Sequence, residues 1–121
     1  MPKKRILIVE NNKIQAKLYK QILETEGFKV EVARDGVEGL EKVKEDGYDV
    51  IISDMNMPRM NGEEFYLGVK KLNQDLADKI IFITGFMTDF IKSTGNKYIQ
   101  KPAYPKQLVE AARKLTPQGC A

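Results

Sequence analysis

The sequence predicts an α/β fold in which parallel strands alternate with helices that cover both faces of one sheet. Three observations predict it. Short β-branched runs alternate along the chain with segments of helical period. Three of the five runs are continuously apolar, as strands covered on both faces require. Turn and helix-stop residues separate the two kinds of segment. Alternation of this kind implies a doubly wound sandwich with helices on both sides.

The strand runs lie at residues 6–9, 30–33, 50–52, 80–83 and 98–100. Between the first two, Ile14, Leu18 and Ile22 recur every fourth residue, and Leu23 widens the stripe. Val37, Leu40 and Val43 form a second stripe, Phe65, Val69 and Leu72 a third, and Leu108, Ala112 and Leu115 the last. Gly27 and Gly47 stop the first and second helices, and Asp35-Gly36 makes a turn before the second. Pro105 suits the first turn of the last helix, where its missing N–H costs little. The stretch from Thr84 to Lys101 is cramped and bracketed by Gly85 and Gly95. It approaches the minimum of about 10–12 residues for a parallel crossover. Thr88 or Asp89 caps a short helix there through Phe90 and Ile91, so the fourth crossover helix is shortened or irregular.

The 121 residues make a single domain, 1–121, with a core at 5–115 and a short tail at 116–121. Its charged residues, 31% of the chain, are interspersed, and the net charge of +3 is mild. Without a concentrated basic face, nucleic acid is not an expected partner. No apolar stretch approaches the roughly 20 residues needed to span a bilayer. The basic start, Lys3-Lys4-Arg5, meets an apolar run too short for a signal peptide, so a cytoplasmic address is expected. Cys120 is the only cysteine and excludes an internal disulfide. The chain has no histidine. Any phosphohistidine chemistry therefore needs a histidine from another protein.

Polar residues collect at strand ends. The first run ends in Glu10-Asn11-Asn12, the third in Ser53-Asp54, the fourth in Thr84 and the fifth in Lys101-Pro102. In a parallel sheet these ends share one edge, where open α/β sheets bind ligands. Singly, each has a structural reading: a helix cap for Glu10 or Asp54, a turn for Thr84, a solvated charge for Lys101. Together they suit a phosphoryl group. Glu10 and Asp54 repel each other unless a cation compensates, and oxygen donors of this kind suit Mg²⁺. Lys101 and Thr84 suit phosphate oxygens. A carboxylate can act as the nucleophile, giving an acyl phosphate. The segment Met57-Pro58-Arg59-Met60-Asn61-Gly62 reads as a rigid loop closed by a glycine suited to φ > 0.

From Arg5 to about Leu115 the chain resembles the receiver domain of two-component response regulators. The most specific segment runs from Ile51 through Ser53-Asp54-Met55-Asn56 to Gly62, joined by Ile83-Thr84-Gly85 and Tyr98-Ile99-Gln100-Lys101-Pro102. The resemblance implies a flavodoxin-like five-stranded parallel sheet of order 2-1-3-4-5. It makes Asp54 the phosphoacceptor, with Mg²⁺ held by Glu10, Asn11, Asp54 and the Asn56 backbone carbonyl. It makes Thr84 and Tyr98 the switch pair, Lys101 the phosphoryl partner, and the Lys101–Pro102 bond a cis peptide. Asn56 and Phe86 occupy the positions that tune phosphoryl lifetime, and Phe86 is bulky enough to shield an acyl phosphate.

The implied protein is a stand-alone cytoplasmic signalling switch in a phosphorelay. It is phosphorylated by a sensor histidine kinase or a histidine phosphotransfer protein, and read by a downstream protein target or through a homodimer. It catalyses its own Mg²⁺-dependent phosphorylation and dephosphorylation without being a conventional enzyme. Two departures stand out. Asn11 replaces the second carboxylate of the acidic pair, which weakens Mg²⁺ binding. The abbreviated fourth crossover alters the face through which the family commonly signals. The rival reading is a pseudo-receiver, a protein-binding module with impaired metal binding. A dehalogenase-like phosphatase would need an aspartate at Asn56, and a flavodoxin-like cofactor binder would need a phosphate-cradling loop after the first strand.

Overall fold

A computed structural model describes residues 3–45, 47–57 and 59–116. Pro58, Cys120 and the rest of the tail beyond Thr116 lie outside the described residues. In chain order the elements are β1 (Arg5–Val9), α1 (Lys13–Thr25), β2 (Lys29–Ala33), α2 (Gly36–Glu45) and β3 (Val50–Asp54). There follow α3 (Gly62–Leu72), α4 (Gln74–Ala77), β4 (Ile80–Thr84), α5 (Asp89–Thr94), β5 (Tyr98–Gln100) and α6 (Pro105–Leu115). All strand pairs are parallel, and the order is β2-β1-β3-β4-β5, as the resemblance implies. None of the helices among the described residues is long and apolar enough to cross a membrane.

Alternate strand residues serve two cores, because successive side chains leave a strand on opposite faces. Ile6, Ile8, Ile52 and Ile81 meet Tyr19 and Leu23 of α1 and Leu108 of α6. Leu7, Val9, Ile51 and Phe82 meet Phe65 and Val69 of α3 on the other face. Burial on both faces explains why β3 and β4 read as unbroken apolar runs. The layers also fix the site. Helices on both faces leave only the sheet's edges free, and the carboxyl edge carries the polar residues.

Several local expectations need correction. The apolar stripe assigned to α1 holds only at its end: Leu23 is buried and Ile22 packs against the core, but Ile14 is 80% and Leu18 47% exposed, and Ala16 and Tyr19 face the core instead. Residues four apart drift around a helix by about 40° per step, so a stripe of fourths turns away from a fixed seam. The spacing of three and then four through Ala16, Tyr19 and Leu23 stays on it. Leu72, placed in the α3 stripe, is exposed as well, and Leu76 and Ala77 of the unforeseen α4 are buried instead. Asn73 makes that short helix by ending α3 and capping Leu76 N–H with its side chain at 3.1 Å.

The helix stops divide. Gly27 is left-handed at φ +97°, as a helix-stop glycine should be, but Gly47 is not left-handed. The cramped crossover does hold a short helix, α5. Thr88 caps the Ile91 N–H at 3.2 Å, and Gly95 ends the helix at φ +72°.

Gly62 also serves another purpose than the one its sequence suggests. It is not left-handed; that conformation falls to Arg59, at φ +66°. Gly62 opens α3 against the end of β3, where a Cβ would sit 2.8 Å from the Met55 Cα and 3.0 Å from the Asp54 carbonyl oxygen. Both are backbone atoms with no rotamer escape. Gly62→Ala is therefore expected to cost about 1–3 kcal/mol, read as a lower urea midpoint with an unchanged slope.

Candidate active site at the carboxyl edge of the sheet

The site forms between β1 and β3, where the winding of the chain reverses and the following loops part. Val9 pairs with Ser53 in register, so the next residues, Glu10 and Asp54, emerge side by side. Both carboxylates are buried. Backbone N–H groups hold them: that of Asn12 donates to Glu10 Oε2 at 3.0 Å, and that of Asn56 to Asp54 Oδ1 at 3.1 Å. Lys101, just past β5, places Nζ 3.1 Å from Asp54 Oδ1 and 3.3 Å from Oδ2. Its backbone N–H donates to the Thr84 carbonyl at 2.7 Å, which ties the lysine to the end of β4. The Lys101–Pro102 bond is cis.

This arrangement is negatively biased. Burial holds the Glu10 carboxyl above its ordinary value, and the charge of Asp54 adds to the effect; the Asn12 N–H and Lys101 offset it in part. One lysine thus serves two carboxylates. They sit at the base of an open cleft of about 380 Å³. Asn11, Asn12 and Gln15 line it from the β1–α1 side, and Asn56 and Lys101 from the later loops. These are oxygen-rich walls around uncompensated negative charge, a donor set that suits a hard divalent cation such as Mg²⁺. Among the described residues no three His, Cys, Asp or Glu side chains cluster for a metal. The oxygens beyond the carboxylate pair are amide and carbonyl oxygens, Asn11 among them.

The structure thus brings Glu10, Asn11, Asp54, Asn56 and Lys101 into one cleft, and leaves Thr84, Tyr98 and Phe86 off its walls. Thr84 is buried at the end of β4, but its hydroxyl donates to the Phe86 carbonyl at 2.7 Å. Phe86 is 69% and Tyr98 46% exposed, so neither ring is packed over the carboxylates.

Two contributions escaped the sequence reading. Asn12 caps α1 by accepting the Gln15 N–H at 2.9 Å, a role its Asn-x-x-Gln spacing could have revealed. Asp35, read only as a turn residue, caps α2 at Glu38 and accepts both Nε and Nη2 of Arg59, at 3.0 and 2.6 Å. The Glu38 backbone N–H, and then Arg59, hold its carboxyl below the ordinary value. This pair ties the loop after β3, which carries Asn56, to the start of α2. Nothing local in the sequence joins the two residues.

The fold and site define a receiver module, and comparison places the chain in a family. The response regulator receiver domain family matches residues 6–113, and the chain belongs to it. A CheY-like receiver domain protein from Methanospirillum hungatei superposes with a TM-score of 0.87 at 35% identity, covering 97% of each chain. Response regulator TrrA from Thermotoga maritima, solved in complex with Mg(2+)-BeF, superposes at 0.84 with 31% identity, covering 93% of this chain and 98% of that one. The probable transcriptional regulator ycf29 of Porphyra purpurea is 30% identical over 115 residues, 91% of this chain and 55% of its own length. The chain spans about half the length of that curated relative.

The raised Glu10 carboxyl has a consequence for stability. Its native value lies above the ordinary 4.5, so the protonated form favours folding below pH 4.5, and that advantage is lost as pH rises through the native value. Glu10→Gln keeps an acceptor for Asn12 and removes the charge. In metal-free buffer at neutral pH it is expected to raise stability, the gain vanishing below pH 4.5. Chemical denaturation at the two pH values measures both effects.

Proposed function

We propose that the chain accepts a phosphoryl group on Asp54 from a phosphohistidine of a sensor histidine kinase or phosphotransfer protein, and works as a cytoplasmic signalling switch. One observation carries the reading: Lys101 bridges both oxygens of a buried Asp54 that shares an open cleft with Glu10. An oxygen of Asp54 attacks phosphorus as the bond to the donor imidazole nitrogen breaks; the electron pair of that bond leaves with the imidazole. An acyl phosphate on Asp54 results. Lys101, already in contact with the nucleophile, transfers its contacts to the phosphoryl oxygens. Bound Mg²⁺ supplies charge neutralisation for those oxygens. Glu10, Asn11, Asp54 and the Asn56 carbonyl are the groups to hold it.

The switch follows from what Thr84 must give up. Its hydroxyl is committed to the Phe86 carbonyl. Reaching a phosphoryl oxygen means leaving that bond, and the half-exposed Tyr98 ring would follow it inward. The loop after β4 and the ring on β5 would carry the change to a downstream partner. Donor docking has an apolar footing in Ile14 and Leu18, exposed on α1 beside the cleft-lining Gln15.

Incubation with acetyl phosphate and Mg²⁺, read by intact mass, tests acceptance. The native chain is expected to gain one phosphoryl group and Asp54→Ala none. Absence of an Asp54-dependent gain, with a histidine-phosphorylated donor as well, would leave a partner-binding module without phosphoryl chemistry. A second measurement addresses Asn11. Restoring the carboxylate in Asn11→Asp is expected to tighten Mg²⁺ binding by about tenfold in calorimetric titration; equal affinities would show that Asn11 does not limit it.

A further inference from the structure

Gln15 is placed where a capping residue should be, yet it does something else. Asn12-x-x-Gln15 is the spacing of a capping box, in which the glutamine reaches back to the N–H of the cap residue. Asn61 and Glu64 complete such a box at α3. At α1 only half of it forms: Asn12 Oδ1 accepts the Gln15 N–H, but the Asn12 N–H is already given to Glu10. The Gln15 side chain is thereby released from capping. Its Nε2 donates to the Tyr19 hydroxyl at 2.9 Å. Tyr19 is 1% exposed and packed in the core under α1, so its hydroxyl is a fixed post. Gln15 itself lines the cleft with Glu10, Asn11 and Asp54. With Nε2 engaged on Tyr19, Oε1 is the oxygen left to serve the cleft.

We propose that Gln15 is a positioning residue for the divalent cation. Its Oε1 accepts a hydrogen bond from water in the cation's coordination shell, and the buried Tyr19 holds the amide in the orientation that allows this. The arrangement answers a specific deficit. Asn11 leaves the cation site one carboxylate short, and a Mg²⁺ ion keeps several waters whose donors need acceptors. A fixed outer oxygen on the same wall meets part of that need, as groups beyond the direct ligands commonly do for metals. The inference rests on the reading of the cleft as a cation site, and it adds to that reading a residue and the post that aims it.

Isothermal titration with MgCl₂ at constant ionic strength tests it on Gln15→Leu, Gln15→Glu, Tyr19→Phe and the Gln15→Leu/Tyr19→Phe double variant. Gln15→Leu is expected to weaken binding roughly three- to tenfold, the worth of about one hydrogen bond. Tyr19→Phe should weaken it in the same direction, and the double variant should be no worse than Gln15→Leu alone. Gln15→Glu decides between a positioning role and a structural one. The Tyr19 hydroxyl can donate to a glutamate, so the pair survives while a charge is added, and binding should tighten several-fold. Native affinity in both Gln15→Leu and Gln15→Glu would overturn the inference while leaving the cation reading intact. Additive losses in the double variant would overturn the role of Tyr19 as the post. No saturable binding by the native protein would overturn the cation reading and this inference together, whereas phosphoryl acceptance is judged separately by the mass of the acetyl phosphate product.

Discussion

Two carboxylates lie buried side by side at the ends of β1 and β3, and the geometry around them follows from that constraint. Ionised carboxylates out of water need compensation, or one of them takes up a proton. The chain compensates incompletely, with one lysine and two backbone N–H groups. The resulting excess of negative charge is what makes the cleft attractive to a cation. It also makes the cleft responsive, because a charge arriving there changes the balance among groups already under electrostatic tension.

The fold sustains this because its two cores lie on the faces of the sheet, away from its carboxyl edge. Strands covered on both faces bury enough apolar side chains to tolerate an unfavourable pair at one edge. The loops at that edge are pinned individually. Asn12 and Asn61 cap α1 and α3, the Asp35–Arg59 pair ties the loop after β3 to α2, and the Lys101 backbone is held by the Thr84 carbonyl. Against this rigid surround the Thr84 hydroxyl and the Tyr98 ring stand out. The first bonds only to the backbone of Phe86, donating to its carbonyl and accepting its N–H, and the second is half exposed.

Much of this was legible in the sequence, and the parts that were not share a cause. Strand positions, the polar residues that the ends of β1, β3 and β5 bring into one cleft, and the brevity of α5 all follow from local pattern: unbroken apolar runs, polar strand ends, bracketing glycines. The phase of α1 did not, because Ile14 and Leu18 satisfy an apolar period while the core selects Tyr19. The place of Gly62 was misread for a similar reason. A glycine can serve a left-handed turn or a close backbone approach, and only the proximity of Met55 shows which. Asp35 with Arg59, and Gln15 with Tyr19 and Glu10, depend on which hydrogen bonds are already taken by neighbours. Such competition is settled in three dimensions.

If a divalent cation relieves the Glu10–Asp54 repulsion, native stability rises with it. The most direct measurement is the thermal unfolding midpoint in MgCl₂ against NaCl at matched ionic strength, for the native chain and for Asp54→Ala. A Mg²⁺-specific rise is expected for the native chain, worth about 2.7 kcal/mol at a hundredfold excess over the dissociation constant. The rise should be largely lost in Asp54→Ala. Identical midpoints in the two salts, or an equal rise in the variant, would contradict it.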